Sequence, residues 1–351
     1  MKICLLNNLY KPYNHGGAEK VVQAIIARKK SEGHEVILIS TKPKYPALDL
    51  NEDCKTFYIK SDFYNLDKKS ICARFVWHLN DLISTRKYSE ISKILKTEKP
   101  DLIVTHNLMG LGLRVIQAIK RTGIKHHHFL HDIQLLHPSG LMMSGKEKKV
   151  DSLLAKIYQF ITKVIVNSPE LIISPSNWLL NEHKKRGFFS NSKKEIKKLE
   201  NILELDPPQI DNQAINKQNK KLLFVGQIEE HKGILFLIKA FRDRASSEAT
   251  LAIAGDGSKL KEALALAQGD NRIVFLGRLE KKILKETMIG SDILIVPSLC
   301  YENYPLVILE AKAVGLKVIA SNIGGIPEMV DNNDSLFIPG DANDLFEKIV
   351  K

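Results

Sequence analysis

Short apolar runs that stop abruptly at polar or turn residues recur along this chain, separated by stretches with apolar residues at helical spacing. This alternation most constrains the fold. "KICLL", "EVILI", "DLIVTH", "HHHFLHD" and "LIISPS" lie in the first half. Runs this continuous read as strands buried on both faces, as in a parallel sheet covered by helices. The intervening "GGAEKVVQAIIARKKSEG" and "LGLRVIQAIKRTG" read as helices ending at Gly33 and Gly123, good C-terminal stops. Two prolines and a run of Asn and Gln in "ELDPPQIDNQAINKQNK" interrupt the periodicity. Six more strand candidates follow: "KLLFVG", "ATLAIAG", "RIVFLG", "DILIVPS", "LKVIAS" and "SLFI". The chain thus reads as two α/β doubly wound domains, residues 1–205 and 221–351, joined by a linker at 206–220. Ligands of such sheets sit at the carboxyl ends of the strands, so the strand-end loops should face a central cleft.

The 351 residues suit about two domains, and 44% hydrophobic with 26% charged residues is globular composition. The N-terminal apolar run stops at Asn7, too short and polar for a signal peptide, and no run approaches a membrane span. Cys4, Cys54, Cys72 and Cys300 are scattered without metal-site spacing, which favours thiols in a reducing cytoplasm. Residues 1–205 hold 34 Lys and Arg against 20 Asp and Glu, net +14; residues 206–351 hold 18 against 20, net −2. A basic first half suits an acidic substrate or an anionic membrane surface; solvated lysine-rich helix faces are the plainer explanation. No nucleic-acid motif accompanies the charge.

The residues with chemistry to offer fall in strand-end loops. Gly16 and Gly17 open a helix, where free amides and the dipole attract an anion, although a plain glycine turn looks the same. In "FVGQIEEHKG", Gly226 and Gln227 end a strand and Lys232 enters the next helix; a lysine there can neutralise a diphosphate leaving group, or it is a surface lysine. His126, His127 and His128 invite a metal, but His127 points away from the other two, so core or cleft histidines are the commoner outcome and His131 is the one placed in the cleft. "GDG" at 255–257 lacks the third glycine of a dinucleotide fingerprint.

"YENYPLVILEA" sets Glu302 and Glu310 eight positions apart. Pro305 suits the first helical position, with the helix running to Gly315. Glu302 then lies on the loop and Glu310 within the helix, while the amides around Asn303, Tyr304 and Leu306 face the ligand. A retaining glycosidase needs carboxylates on both sides of a sugar. Two on one side suit hydrogen bonds to hydroxyls instead.

Together, "GGAEK", "EGHEV", "KPDLIVTHN", "LHD", "FVG" with "HKG", "AGDG", "FLG", "VPSLCYENYPLVILEA" and "SNIGGIPEMV" resemble, in order and over nearly the whole chain, the family-4 retaining glycosyltransferases (glycosyl transferases group 1) of GT-B fold. The resemblance implies two Rossmann-like domains, the first for the acceptor and the second for a nucleotide-sugar donor, a UDP- or GDP-sugar that is substrate rather than cofactor. It implies metal-independent hexosyl transfer to a glycan or lipid-linked acceptor in cell-envelope polysaccharide or glycolipid synthesis. The chain would then be cytoplasmic, or peripheral at the inner face of the membrane. By position, His131, Lys232 and Glu302 match the family's catalytic residues. Gly16, Gly17, Gly226, Gln227, Lys232, Arg278, Asn303, Tyr304, Pro305, Leu306 and Glu310 match its donor site, with Glu310 on the ribose; Gly324, Gly325 and Glu328 match its tail motif.

Gln227 stands where the family usually has arginine, leaving Lys232, helix amides and Arg278 to compensate. The family usually continues, beyond the equivalent of Lys351, through helices that pack on the first domain. The rival readings are a non-catalytic nucleotide-sugar-binding partner subunit and a GT-B sugar-nucleotide epimerase. In "KEKKVDSLLAKIYQFITKVIV", Lys149, Lys156 and Lys163 recur every seven residues beside Leu153, Ile157, Phe160, Ile161 and Val164. That pattern suits either a helix on anionic lipid or, more commonly, a core helix with a solvated basic face.

Overall fold

The apolar runs form the centres of two parallel sheets. A computed structural model describes residues 1–13, 16–43, 53–66, 69–166, 168–196, 219–330 and 335–350. The chain divides into one unit of Met1–Leu141 and Lys148–Leu203, and a second of Met142–Glu147 and Glu204–Lys351. A first domain of 1–205 is therefore corrected at Met142–Glu147, which is hydrogen-bonded into the second unit. Of the linker expected at 206–220, residues 206–218 lie outside the described residues.

In the first unit, β1 (Lys2–Leu6), β2 (Glu35–Lys42), β3 (Lys55–Lys60), β4 (Leu102–Thr105), β5 (Lys125–Phe129), β6 (Leu171–Ser174) and β7 (Lys193–Ile196) take the order β3-β2-β1-β4-β5-β6-β7, every pair parallel. Its helices are α1 (Gly17–Ser31), α2 (Ile71–Ile83), α3 (Thr85–Glu98), α4 (Val115–Thr122), α5 (Leu153–Ile165) and α6 (Asn177–Lys185). Serines start four of them: the hydroxyls of Ser70, Ser84, Ser152 and Ser176 accept amides of the first turn. Cys4, Leu5 and Leu6 of β1 and Ile37, Leu38 and Ile39 of β2 are fully buried, as strands covered on both faces require. The sequence reading missed β3 and β7. Both are edge strands: "KTFYIK" begins and ends in exposed lysines and "KKEI" is mostly charged, so neither shows an apolar run.

In the second unit, β8 (Lys221–Val225), β9 (Thr250–Ala254), β10 (Ile273–Gly277), β11 (Ile293–Val296), β12 (Lys317–Ser321) and β13 (Leu336–Phe337) take the order β10-β9-β8-β11-β12-β13, again all parallel. All six match the strand candidates. The helices are α7 (Ile234–Arg244), α8 (Leu260–Ala267), α9 (Lys281–Ile289), α10 (Leu306–Lys312) and α11 (Ala342–Val350). Phe224, Leu237, Phe241, Ile253, Ile295, Ile319 and Phe337 pack in its core.

In each sheet the strand order reverses beside the first strand, between β1 and β4 and between β8 and β11. Connections leave opposite faces there, so the loops at the strand ends splay apart into a ligand crevice. The helix expected from Pro305 to Gly315 is shorter. Pro305 is its N-cap, and after Lys312 the bonds tighten to Val314 N→Ala311 O and Gly315 N→Lys312 O. No helix among the described residues is long and apolar enough to cross a membrane.

Candidate functional site

In the second unit the switch point brings together two loops about seventy residues apart in sequence. After β8 the chain makes a single turn at Glu230–Lys232 before α7. Gly233 takes φ +73°, and a Cβ there would lie 1.8 Å from the Pro297 carbonyl. Only glycine permits this contact, which lays the end of the Lys232 turn on the loop following β11. There Lys232 Nζ donates to Glu302 Oε1 at 2.5 Å, and Ser298 Oγ donates to the same oxygen at 2.9 Å. Burial works against both charges. For Lys232, attraction to the Glu302 carboxylate prevails and raises its pKa. For Glu302, the Lys232 ammonium and the Ser298 hydroxyl prevail and hold the carboxyl below its usual range. The pair is ionised and partly buried, a fixed dipole at the strand ends.

Glu302 is also held through its backbone. Its carbonyl accepts from the Gly325 amide at 2.8 Å. Gly324, at φ +65°, approaches so closely that a Cβ would stand 2.2 Å from that carbonyl. The segment Met142–Glu147 braces the same loop from its other end. Met143 bridges Cys300 antiparallel, Ser144 N donates to Leu299 O and Tyr301 N to Met142 O, and Tyr301 Oη donates to Glu147 Oε1. Tyr304 is buried, Asn303, Pro305 and Leu306 are partly exposed, and Glu310 lies within α10, partly exposed.

The remaining expected donor residues are more spread out. Gly226 is joined to β9 through its amide on Ala254 O, and Gln227 is exposed beside it. Arg278 is exposed just past β10, at the sheet edge. Two strand spacings, about 10 Å, separate β10 from β8 in the sheet order.

The first unit has its own cluster at the β1/β4 switch. Asn8 N donates to Asn107 O at 2.8 Å, and Asn107 N to Asn7 Oδ1 at 3.2 Å. His131, just past β5, shares a 2.8 Å hydrogen bond from its Nε2 to Nδ1 of the buried His106, and Phe129 stacks on both rings. Burial depresses the His131 pKa to about 3, and burial with neighbouring imidazoles drives His106 well below its ordinary value. His131 is therefore a neutral hydrogen-bonding group at physiological pH. Asp132 goes the other way: burial raises it to about 6, opposed by the Gln134 amide and the Asn107 side chain. A cavity of about 20 Å³ lies among His106, His128, His131 and Asp132.

His126 Nε2 and His128 Nδ1 both bond Thr105 Oγ1 at 2.8 Å, so these two are tied to the neighbouring strand. At α1, the Gly16 amide donates to the buried Glu19 carboxylate at 2.6 Å. That carboxylate already answers the helix dipole, and an anion arriving there would share the end with it. His106, Asp132, Ser298 and the tie from Gly324 to Glu302 were missed as site features from sequence. The signals available were "VTHN" ending a strand as "HD" does, and paired glycines right after β12.

Residues 15–194 match the family model described as Glycosyltransferase Family 4, more than half the chain. The chain belongs to Glycosyltransferase Family 4. Residues 219–351 of this glycosyltransferase match the model for glycosyl transferases group 1. An uncharacterized 42.6 kDa protein in the cps region of Klebsiella pneumoniae is 27% identical, over 98% of this chain and 91% of its own length. Among solved structures, sucrose-phosphate synthase from Thermosynechococcus elongatus superposes with TM-score 0.70 at 17% identity, covering 99% of this chain and 88% of the other. HepE of Anabaena, in complex with UDP and glucose, gives TM-score 0.69 at 19% identity over 100% and 89% of the two chains. These likenesses show the GT-B fold of the glycosyltransferase.

Proposed function

We propose that this family-4 glycosyltransferase transfers a sugar, with retention, from a nucleoside-diphosphate sugar to a glycan or lipid-linked acceptor of a cell-envelope polysaccharide or glycolipid. The observation that carries this reading is the Lys232–Glu302–Ser298 cluster at the β8/β11 switch: an ammonium and a carboxylate fixed where a strand-end ligand binds. The HepE structures with UDP and UDP-glucose support a uridine donor. The cps-region relative supports a polysaccharide product.

In this reading the diphosphate takes over the Lys232 ammonium from Glu302, which turns to the sugar hydroxyls, while Glu310 receives the ribose hydroxyls. The anomeric C–O bond breaks with its electrons going to the diphosphate. The acceptor oxygen bonds the same face of that carbon, and its proton passes to the departing phosphate oxygen. No protein nucleophile is needed. The leaving charge is met by Lys232 and helix amides rather than a metal ion, and neutral His131 contributes a hydrogen bond. A lipid-linked acceptor would bring the enzyme to the inner face of an anionic membrane, in keeping with its basic first half.

A melting screen of UDP-, GDP- and ADP-sugars tests the donor, since a ligand of the folded form raises its stability. One should shift the wild type, with Glu310→Ala weakening it; unchanged affinity in Glu310→Ala would remove the assigned role. Gln227, exposed where the family has arginine, favours as second reading a non-catalytic nucleotide-sugar-binding subunit. Donor hydrolysis or transfer by the purified chain decides against it.

A further inference from the structure

Helix α5 is turned inside out. Its inward face is largely polar. Gln159 Nε2 donates to the carbonyls of Leu136 and Val150, Thr162 Oγ1 to that of Leu135, and Tyr158 Oη to that of Gln134. Its outward face is apolar: Leu153 is 76% exposed, Leu154 73%, Ile157 50%, Phe160 64% and Val164 61%. The spacing 153, 157, 160, 164 makes one stripe along the helix. The expectation of a core helix with a solvated basic face is thus reversed, because hydrogen bonds to loop carbonyls, rather than apolar packing, fix which side faces in.

Basic side chains border the stripe. Lys156 and Lys163 lie along one edge at 3.6 residues per turn. The Lys163 ammonium sits beside Gly187, where a Cβ would be 3.5 Å from it, just past the exposed Lys184 and Lys185. Lys148 and Lys149, also exposed, precede the helix. Leu153–Ile165 contains no acidic residue. Of the carboxylates close in sequence to these lysines, Asp151 is paired with Arg186, Glu182 with Arg186 and Lys185, and Glu147 accepts from the Gly145 amide and the Tyr301 hydroxyl.

We infer that α5 is the membrane-docking element of this enzyme, lying in the headgroup layer of an anionic bilayer with its apolar stripe among the acyl chains and its lysines on lipid phosphates. An apolar face on a helix that holds lysines and no acidic residue is complementary to that surface. A second copy of the chain is a poorer occupant, since packing stripe on stripe would bring two rows of lysines together. The inference deepens the proposed lipid-linked acceptor, and rests on that reading for its purpose though not for its measurement.

The test is co-sedimentation of the full chain, at low salt, with phosphatidylcholine vesicles with or without phosphatidylglycerol. The wild type should bind only the anionic vesicles. Phe160→Ser with Val164→Ser should lose about tenfold or more in binding. Lys156→Gln with Lys163→Gln should lose roughly fivefold per lysine. The substituted side chains are outward, so melting temperatures should stay at the wild-type value. No binding to anionic vesicles, or binding by both variants undiminished from the wild type, overturns the inference, as does a dimer that Phe160→Ser with Val164→Ser abolishes. Nucleotide-sugar melting shifts, measured in parallel, separate the two readings. Vesicle binding without any such shift sinks the donor reading alone, and a shift without vesicle binding sinks the docking face alone.

Discussion

Replacing Gly324 with alanine should displace the loop that presents Glu302 from outside it. The residue sits at φ +65°, and its new Cβ would stand 2.2 Å from the Glu302 carbonyl oxygen, against the 3.0 Å that real contacts respect. One backbone segment must move by at least the 0.8 Å difference. The left-handed conformation costs a side-chain-bearing residue about 1–2 kcal/mol, and an overpacked contact costs about 1–3 kcal/mol more. The sum, about 2–5 kcal/mol, lowers the melting temperature of a unit this size by roughly 4–20 °C. Gly269→Ala is the control. Its φ is +83° and nothing lies within 4 Å of the added carbon, so it should lose only the conformational part, roughly 2–8 °C. Because Glu302 is displaced in one variant and untouched in the other, Gly324→Ala alone should weaken nucleotide-sugar binding, by roughly tenfold or more. Calorimetry on both variants reads the two effects. Equal melting and equal donor affinity would refute the claim that the paired glycines pin Glu302.

Lys232→Met strands the Glu302 carboxylate and should cost on the order of 2 kcal/mol in urea unfolding; adding Glu302→Gln should restore most of that stability but none of the donor affinity. Because Lys232 holds Glu302 below its usual range against the opposing effect of burial, its stabilisation is complete above the unfolded value of 4.5 and is lost as pH falls through the lower folded value. Glu302→Gln should therefore flatten the acid side of the stability–pH curve. Asp132, raised by burial from 3.8 to about 6, costs stability wherever it is ionised in the folded state. Asp132→Asn should stabilise the first unit by on the order of 1 kcal/mol at neutral pH and by nothing below the unfolded value, as paired melting curves would show.

Much of the architecture was legible because strands buried on both faces must be written as unbroken apolar runs. The edge strands Lys55–Lys60 and Lys193–Ile196 were not, since an edge tolerates the charges that erase the pattern. Lys232 and Glu302 could each be singled out from the loop that carries it. Their pairing could not, because it depends on β8 lying next to β11, and strand order is not written in the residues of either loop. For α5, periodicity revealed the apolar stripe but not its direction. The clue lay on the opposite face, where Gln159 and Thr162 stand at a spacing that suits bonding to buried carbonyls. Met142–Glu147 left no signal, since a brace made mainly of backbone hydrogen bonds constrains few side chains.

That brace has a consequence for how the gene can be divided. The loop presenting Glu302 is completed by six residues encoded well upstream of the linker region, within the stretch that otherwise builds the first unit. A fragment beginning at the linker would express every strand of the second sheet and still lack the partner of Cys300 and Tyr301. Shuffling halves between relatives at that junction would join a loop to a brace selected for another enzyme. The unit of inheritance for the loop that presents Glu302 is discontinuous, and exchanges that respect it must carry Met142–Glu147 along with the second half.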